Sequence, residues 1–298
     1  MGGALWAITA GVGFGIFQTL NRRAVRGMDV YVATFMQLFV SAIVLLTISI
    51  TTEDLGPLYA SSRWAWINFS LAGFFHFFIG WTFLNASQKM IGAARTGSLI
   101  GTTPLFGAAI AAVSLAEIPT LNAVVGIFLI VGGVYLVNHV RIRQTETMTT
   151  IPTGWHSLLA GLAAALCWSI SPIFIRFGLA ELPSPILGVT IGISACVLGY
   201  GMALGFRSIR DPLEPIAMDA FIFKLIAGVL VGLSTWARWI ALDLAPVAIV
   251  LALSLVSVPI VNLLSPLWVG RDLEQVTAQV WLGSFLIVAG SLILILFR

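Results

Sequence analysis

The side chains able to do chemistry in this 298-residue chain are few, and most lie inside apolar runs. His76 stands in the middle of LAGFFHFFIGW, where an imidazole could exchange a proton near neutrality or hydrogen-bond a solute. The competing explanation is a neutral histidine bonded to a neighbouring helix. Trp81 and Trp236 also stand within apolar stretches rather than at their ends, and could form aromatic walls for a flat, amphipathic or cationic solute. Trp168, beside Ser169 and Ser171, has the same potential, although packing and lipid contact are the commoner uses of such aromatics.

Gln18, Asn21, Asn85 and Asn262 add uncharged donors and acceptors that could hold a zwitterion without a permanent buried charge. Interhelical hydrogen bonds would explain them equally, and better for Asn85 and Asn262. Arg95 and Arg238 could bind a carboxylate or phosphate. Their ordinary alternative is to snorkel toward the membrane surface, and Arg238 could also pair with Asp243. All twelve acidic residues fall at span ends or in loops. A charge ring of the kind that lines ion channels is missing, as are a Walker motif and a G-x-S-x-G elbow with a second deep histidine. Channel, ATP-driven pump and hydrolase readings therefore fail. Neither a cofactor nor a metal site is expected, and Cys167 and Cys196 read as small buried hydrophobes.

These residues must be positioned by membrane helices. The composition is 59% hydrophobic and only 9% charged, with a mean hydropathy of +1.04, values that no water-soluble domain of this length could bury. The excess of basic residues reads as loop charge on a membrane protein rather than as nucleic-acid binding. The N-terminal run has no basic n-region and reads as a retained first span. At roughly 20 apolar residues per crossing, ten spans are expected at about 3–21, 30–50, 65–87, 93–115, 120–140, 155–177, 185–206, 220–241, 246–269 and 277–297. The polar segment 141–154 divides five spans from five.

The two fives are related. Phe14 falls on Trp168 and Gly15 on Ser169 at an offset of 154. At 155, Gly73 falls on Gly228, Trp81 on Trp236, Ala86 on Ala241, Pro104 on Pro259 and Glu117 on Asp272. An odd number of spans per half inverts the second repeat, an arrangement found in secondary transporters. Pro104 and Pro259 each remove a backbone hydrogen bond and are candidate gate hinges or static bends. Glu117 and Asp272 are expected to cap the last helix of their own half. Eleven of the fifteen basic residues, Lys224 among them, are assigned to one side of the membrane. That side is then cytoplasmic, which puts both termini outside the cytoplasm.

The aromatic-small pairs at Phe14 and Trp168, the alanines closing the third and eighth spans, the two prolines, the acids in LAEIP and GRDLE, and the Gly-rich GIFLIVGG and GSFLIVAG together resemble the two EamA repeats of the drug/metabolite transporter superfamily. The resemblance covers essentially the whole chain and departs at Asp272, where the pattern has Glu. It implies an all-α integral membrane protein, with ten helices as two inverted five-helix repeats (1–140 and 155–298) around a central cavity. The first, third and fourth helices of each half would line that cavity, and the fifth helices would join the halves. The small multidrug branch of the superfamily couples to protons through a first-helix glutamate, and residues 11–17 contain no carboxylate.

The expectation is a monomeric secondary transporter of the bacterial inner membrane, not an enzyme. It would export small polar or amphipathic metabolites, foremost amino acids, among membrane lipids and with no nucleic-acid partner. Organic cations, nucleosides, sugar phosphates and lipid scrambling are the alternatives. The expected cavity residues are Gln18, His76, Trp81, Arg95, Trp168, Ser171, Trp236, Arg238 and Asn262.

Overall fold

In a bilayer every backbone N–H and C=O must be satisfied within the protein, so an apolar chain of this kind has helices as its simplest solution. The computed structural model describes residues 2–24, 29–146, 155–210, 218–268 and 277–297, without the side chains of 22–24, 30, 85, 88–95, 140–146, 155–157, 207–210, 262 and 265–268. The described residues are helical throughout, joined by short turns. In order, the helices are α1 (Gly2–Ala24), α2 (Val30–Thr52), the one-turn α3 (Gly56–Ala60), α4 (Arg63–Gly73), a π-helical segment (Phe74–Gly80), α5 (Trp81–Ile100), α6 (Thr103–Leu115), α7 (Leu121–Glu146), α8 (Trp155–Glu181), α9 (Pro185–Arg210), α10 (Met218–Leu244), α11 (Val247–Ser254), α12 (Ser257–Trp268) and α13 (Ala278–Leu296). Nine stretches of the described residues are long and apolar enough to cross a membrane, and a shorter apolar one spans Val247–Val261. The protein is an all-α, multi-pass integral membrane protein. Its outward faces carry side chains such as Phe128, Phe285 and Leu292, which stay exposed because lipid is their solvent.

Close packing at small residues sets the helix neighbours. The most extensive pairings are α1 with α10 and α7 with α13. A Cβ on Gly133 would lie 2.5 Å from the Gly283 carbonyl oxygen, and one on Gly283 would lie 2.7 Å from that of Gly133, so this antiparallel seam admits no larger residue. A Cβ on Gly73 would stand 2.0 Å from the Gly192 oxygen, which fixes α4 on α9. On α2, Ser41 donates to the Gly228 carbonyl of α10 at 2.6 Å.

Two features depart from the expected spans. No break separates the third and fourth spans near residues 87–93, because α5 is helical throughout. It turns sharply nonetheless: the Ser87 and Thr96 hydroxyls bond at 2.8 Å, although nine residues of straight helix would hold them about 13 Å apart. The second departure is that the fourth span breaks at Gly101–Thr102 and the ninth at Leu255–Val256. Each break lies just upstream of a proline, where the ring removes an N–H and crowds the preceding turn. The Thr102 and Thr103 hydroxyls satisfy the carbonyls of Leu99 and Ile100, at 2.5 and 2.6 Å.

Candidate functional site

A cavity of about 200 Å³ occupies the bundle between these two breaks. It reaches from mid-bilayer toward the end where α1 and α7 finish, as Asn21 and Asn138 on its wall show. The first spans build its sides. Gly15 would place a Cβ 2.9 Å from the Ser257 oxygen, and Ser169, its counterpart in α8, donates to the Thr103 oxygen at 3.0 Å. In both halves the small residue of the aromatic-small pair meets the broken helix of the other half, while the aromatic partner, Phe14 or Trp168, faces the cavity.

The π segment supplies the opposite wall. Its wider turn exposes the His76 carbonyl, which accepts the Trp168 indole N–H at 3.1 Å. Such insertions are frequent at functional sites. The His76 ring stacks on Trp168 with centroids 5.6 Å apart. Trp81 meets Trp168 edge-on at 6.0 Å and Phe17 at 5.5 Å. The buried Trp81 Nε1 has no hydrogen-bond partner among the described residues.

Arg238 is the charged group on this wall. It is 8% exposed, lines the cavity with Gln18, and among the described residues has neither an ion pair nor a hydrogen-bond acceptor. A charge near mid-bilayer costs several kcal/mol unless it is solvated or paired. A guanidinium in that position, lining a cavity shared with Phe14, Trp81 and Trp168, is built to receive a planar anion such as a carboxylate in a two-pronged hydrogen bond.

Five of the expected cavity residues therefore come together: Gln18, His76, Trp81, Trp168 and Arg238. Two do not. Ser171 is fully buried and donates to the Ala72 carbonyl at 3.2 Å, so its hydroxyl is used in the α8–α4 contact. Trp236 packs, half-buried, against the core and does not reach the cavity. The wider π turn before Trp81 shifts the faces downstream of it, and α10 has no such segment before Trp236, so positions equivalent in sequence face differently. The side chains of Arg95 and Asn262, like Asn85, lie outside the described residues, and so does Asp272. Pro104 and Pro259 start the distal half-helices after each break.

Snorkelling does not describe Arg238, which stays inside the bundle, and Asp243, exposed at the end of α10, forms no ion pair with it. Arg176 donates from Nη1 to the carbonyl oxygens of Leu242 at 2.7 Å and Asp243 at 3.2 Å. Its Nη2 lies 3.1 Å from Glu117 Oε1. Glu117 does not cap its own half's last helix. Its Oε2 accepts the Val247 N–H at 2.8 Å and so caps α11 in the other half. The reversal at Ala116, in the left-handed region at φ 55°, aims it there. This network closes the end of the bundle opposite the cavity mouth.

Sequence reasoning missed Lys224, which it assigned to a loop side. The residue is 2% exposed within α10, and its ammonium donates to Asn21 Oδ1 and, at 2.8 Å, to Gln37 Oε1. A signal was available: fourteen residues separate it from Arg238, close to four helical turns, which puts both cations on one face of α10. Asn138, on the cavity wall beside Gly97, was missed as well.

A bundle of broken helices around a central cavity that carries a few polar groups among apolar walls is an architecture used by membrane transporters. Residues 1–139 match the EamA-like transporter family, the one that the sequence repeats resemble. A solved structure described as "Crystal structure of protein" superposes with a TM-score of 0.77 over 99% of both chains at 17% identity, a likeness of fold. No curated protein sequence matches the chain significantly.

Proposed function

We propose that this transporter exports small carboxylate-bearing metabolites, foremost amino acids, from the cytoplasm of a bacterium by alternating access. The observation that carries the reading is Arg238, a buried guanidinium with no protein anion beside it among the described residues, at an aromatic-walled cavity. A carboxylate would take the guanidinium, and an apolar or flat side chain would lie against Trp168, Trp81 and Phe14. At about 200 Å³ the cavity is smaller than the roughly 300–1,000 Å³ of sites for drug-sized ligands. An arginine at its wall also argues against organic cations.

Alternating access rests on the inverted-repeat reading, which the packing pairs support. Exchanging the five spans of one half for those of the other sends α1 on α10 into α8 on α4 and α5, and α2 on α10 into α9 on α4, while α7 on α13 maps onto itself. The helix breaks before Pro104 and Pro259 are the proposed gate hinges. The cavity extends toward the basic, cytoplasmic side, with both termini on the other.

Counterflow into proteoliposomes tests the function. Labelled amino acids should exchange, and the matching decarboxylated amines should neither exchange nor compete. Exchange of amines in preference to amino acids would overturn the carboxylate reading.

A further inference from the structure

A second buried cation lies behind the cavity, in a setting unlike any other charge among the described residues. Lys224 is enclosed by α10, α1 and α2, and its two hydrogen-bond partners are the amide oxygens of Asn21 and Gln37. Asn21 stands on the cavity wall, so one side chain connects the lysine to the solute space. The other partner is strained for hydrogen bonding: with Gln37 Oε1 on the ammonium, Gln37 Nε2 is buried and has no acceptor among the described residues.

Amide partners have a consequence that a carboxylate would not. A carboxylate beside a buried lysine holds it charged, because releasing the proton would strand an anion. A carboxamide carries an acceptor and a donor on one rotor. Toward an ammonium it offers Oε1; turned by half a rotation, it offers Nε2–H to the lone pair of a neutral amine and gives the orphaned donor a partner. The site therefore accommodates both forms of Lys224.

We propose that Lys224 is the proton-coupling site of this transporter, and that Asn21 makes the proton and the solute compete. The proposal rests on the transport reading above. In the proton-loaded state the ammonium holds Asn21 Oδ1. When a solute recruits the Asn21 carboxamide, an N–H bond of Lys224 breaks, its electron pair stays on Nζ to accept from Gln37 Nε2, and the proton leaves to water on the side to which the cavity is open. Opposed binding of this kind is reciprocal: solute expels the proton and the proton expels solute. With the proton gradient directed inward, the cycle drives solute outward.

No other described ionisable group contends for the role at this point. On α2 the titratable side chain is Tyr31, which interacts with Tyr200 of α9 beside Cys196. On α10 itself, the Asp219 carboxylate accepts the Ala220 N–H at 2.8 Å, and Arg238 is fourteen residues away, about 21 Å along the helix. Of the charged groups on α1, Arg22 and Arg23 follow Asn21, with side chains outside the described residues.

Two measurements test this. In proteoliposomes with an imposed pH gradient, Lys224→Gln should lose accumulation of labelled amino acid beyond equilibrium, while exchange at equal pH persists and becomes independent of pH; Lys224→Arg, whose fixed charge keeps hold of Asn21, should lose accumulation and weaken exchange as well. Accumulation by Lys224→Gln equal to that of the unmodified protein would overturn the proposal.

The second measurement needs neither a variant at 224 nor a transported solute. The chain has two lysines, Lys89 and Lys224, so ¹³Cε-lysine labelling gives two resonances, assigned with Lys89→Arg. The Lys224 resonance should move between its charged and neutral positions as pH is varied across the range in which the protein stays folded. A resonance fixed at the charged position throughout would overturn the proposal even if transport is seen. If it moves while no amino acid is exchanged, the proton site stands and the amino-acid reading falls.

Discussion

Arg176 and Arg238 carry the same charge in the same bundle, and their surroundings could hardly differ more. Arg176 stands at the closed end, where Glu117 and the carbonyls of Leu242 and Asp243 hold it. Arg238 stands at the cavity with neither carboxylate nor carbonyl on it among the described residues. A guanidinium cannot shed its proton to escape burial, so its charge must be met by something. Where the protein supplies the partners, the arginine is structural and joins the halves through one salt bridge and a shared helix cap. Where it does not, the missing partner is a mobile anion or water, and the site is available for binding.

The largest effect should come from removing the unpartnered charge. Arg238→Gln should weaken binding of a labelled amino acid by about 30-fold or more, the equivalent of about 2 kcal/mol for losing one side of a buried charged pair. Arg238→Lys, which keeps the charge but not the fork, should recover part of it. Equilibrium binding to purified protein reads both, and equal affinities in all three proteins would erase the distinction between the two arginines.

At the closed end the cost should appear in stability. Glu117→Gln breaks the ion pair and should lower unfolding stability by about 1–2 kcal/mol, a value kept small by the partial exposure of both side chains. The charge swap Glu117→Arg with Arg176→Glu should restore only part of it, since an arginine at 117 cannot accept the Val247 N–H. Full restoration in thermal or denaturant unfolding would mean that the cap contributes nothing. The smallest effect is at the reversal that aims Glu117: Ala116→Gly should stabilise by about 0.5 kcal/mol, because glycine takes the left-handed region without the Cβ penalty.

The two regions were also unequally legible in the sequence. The spans, and the proximity of the helix breaks to Pro104 and Pro259, follow from apolar run length and from what proline does to a helix, both local properties. Phe14 and Trp168 were marked by the repeat, and the cavity takes them both. Trp236 shows where repeat logic fails, because the π turn at 74–80 belongs to one half alone and no local signal in FFHFFIG announces it. Lys224 and Glu117 show a second limit. Each is read from sequence by its distance to a span end, but their roles depend on helices from the other half, which bring Asn21 and Gln37 to the lysine and Arg176 to the glutamate.

If the cavity at Arg238 is the solute site, it is reached from the face where α1 and α7 end, while the Arg176–Glu117 end is closed. Leu255 lies on its wall at the helix break. With Cys167 and Cys196 replaced by alanine, Leu255→Cys should react with a small charged thiol reagent added from that face, and an amino acid should slow the reaction several-fold, its decarboxylated amine leaving it unchanged. Reaction from the opposite face alone, or at a rate that no carboxylate alters, would contradict this reading.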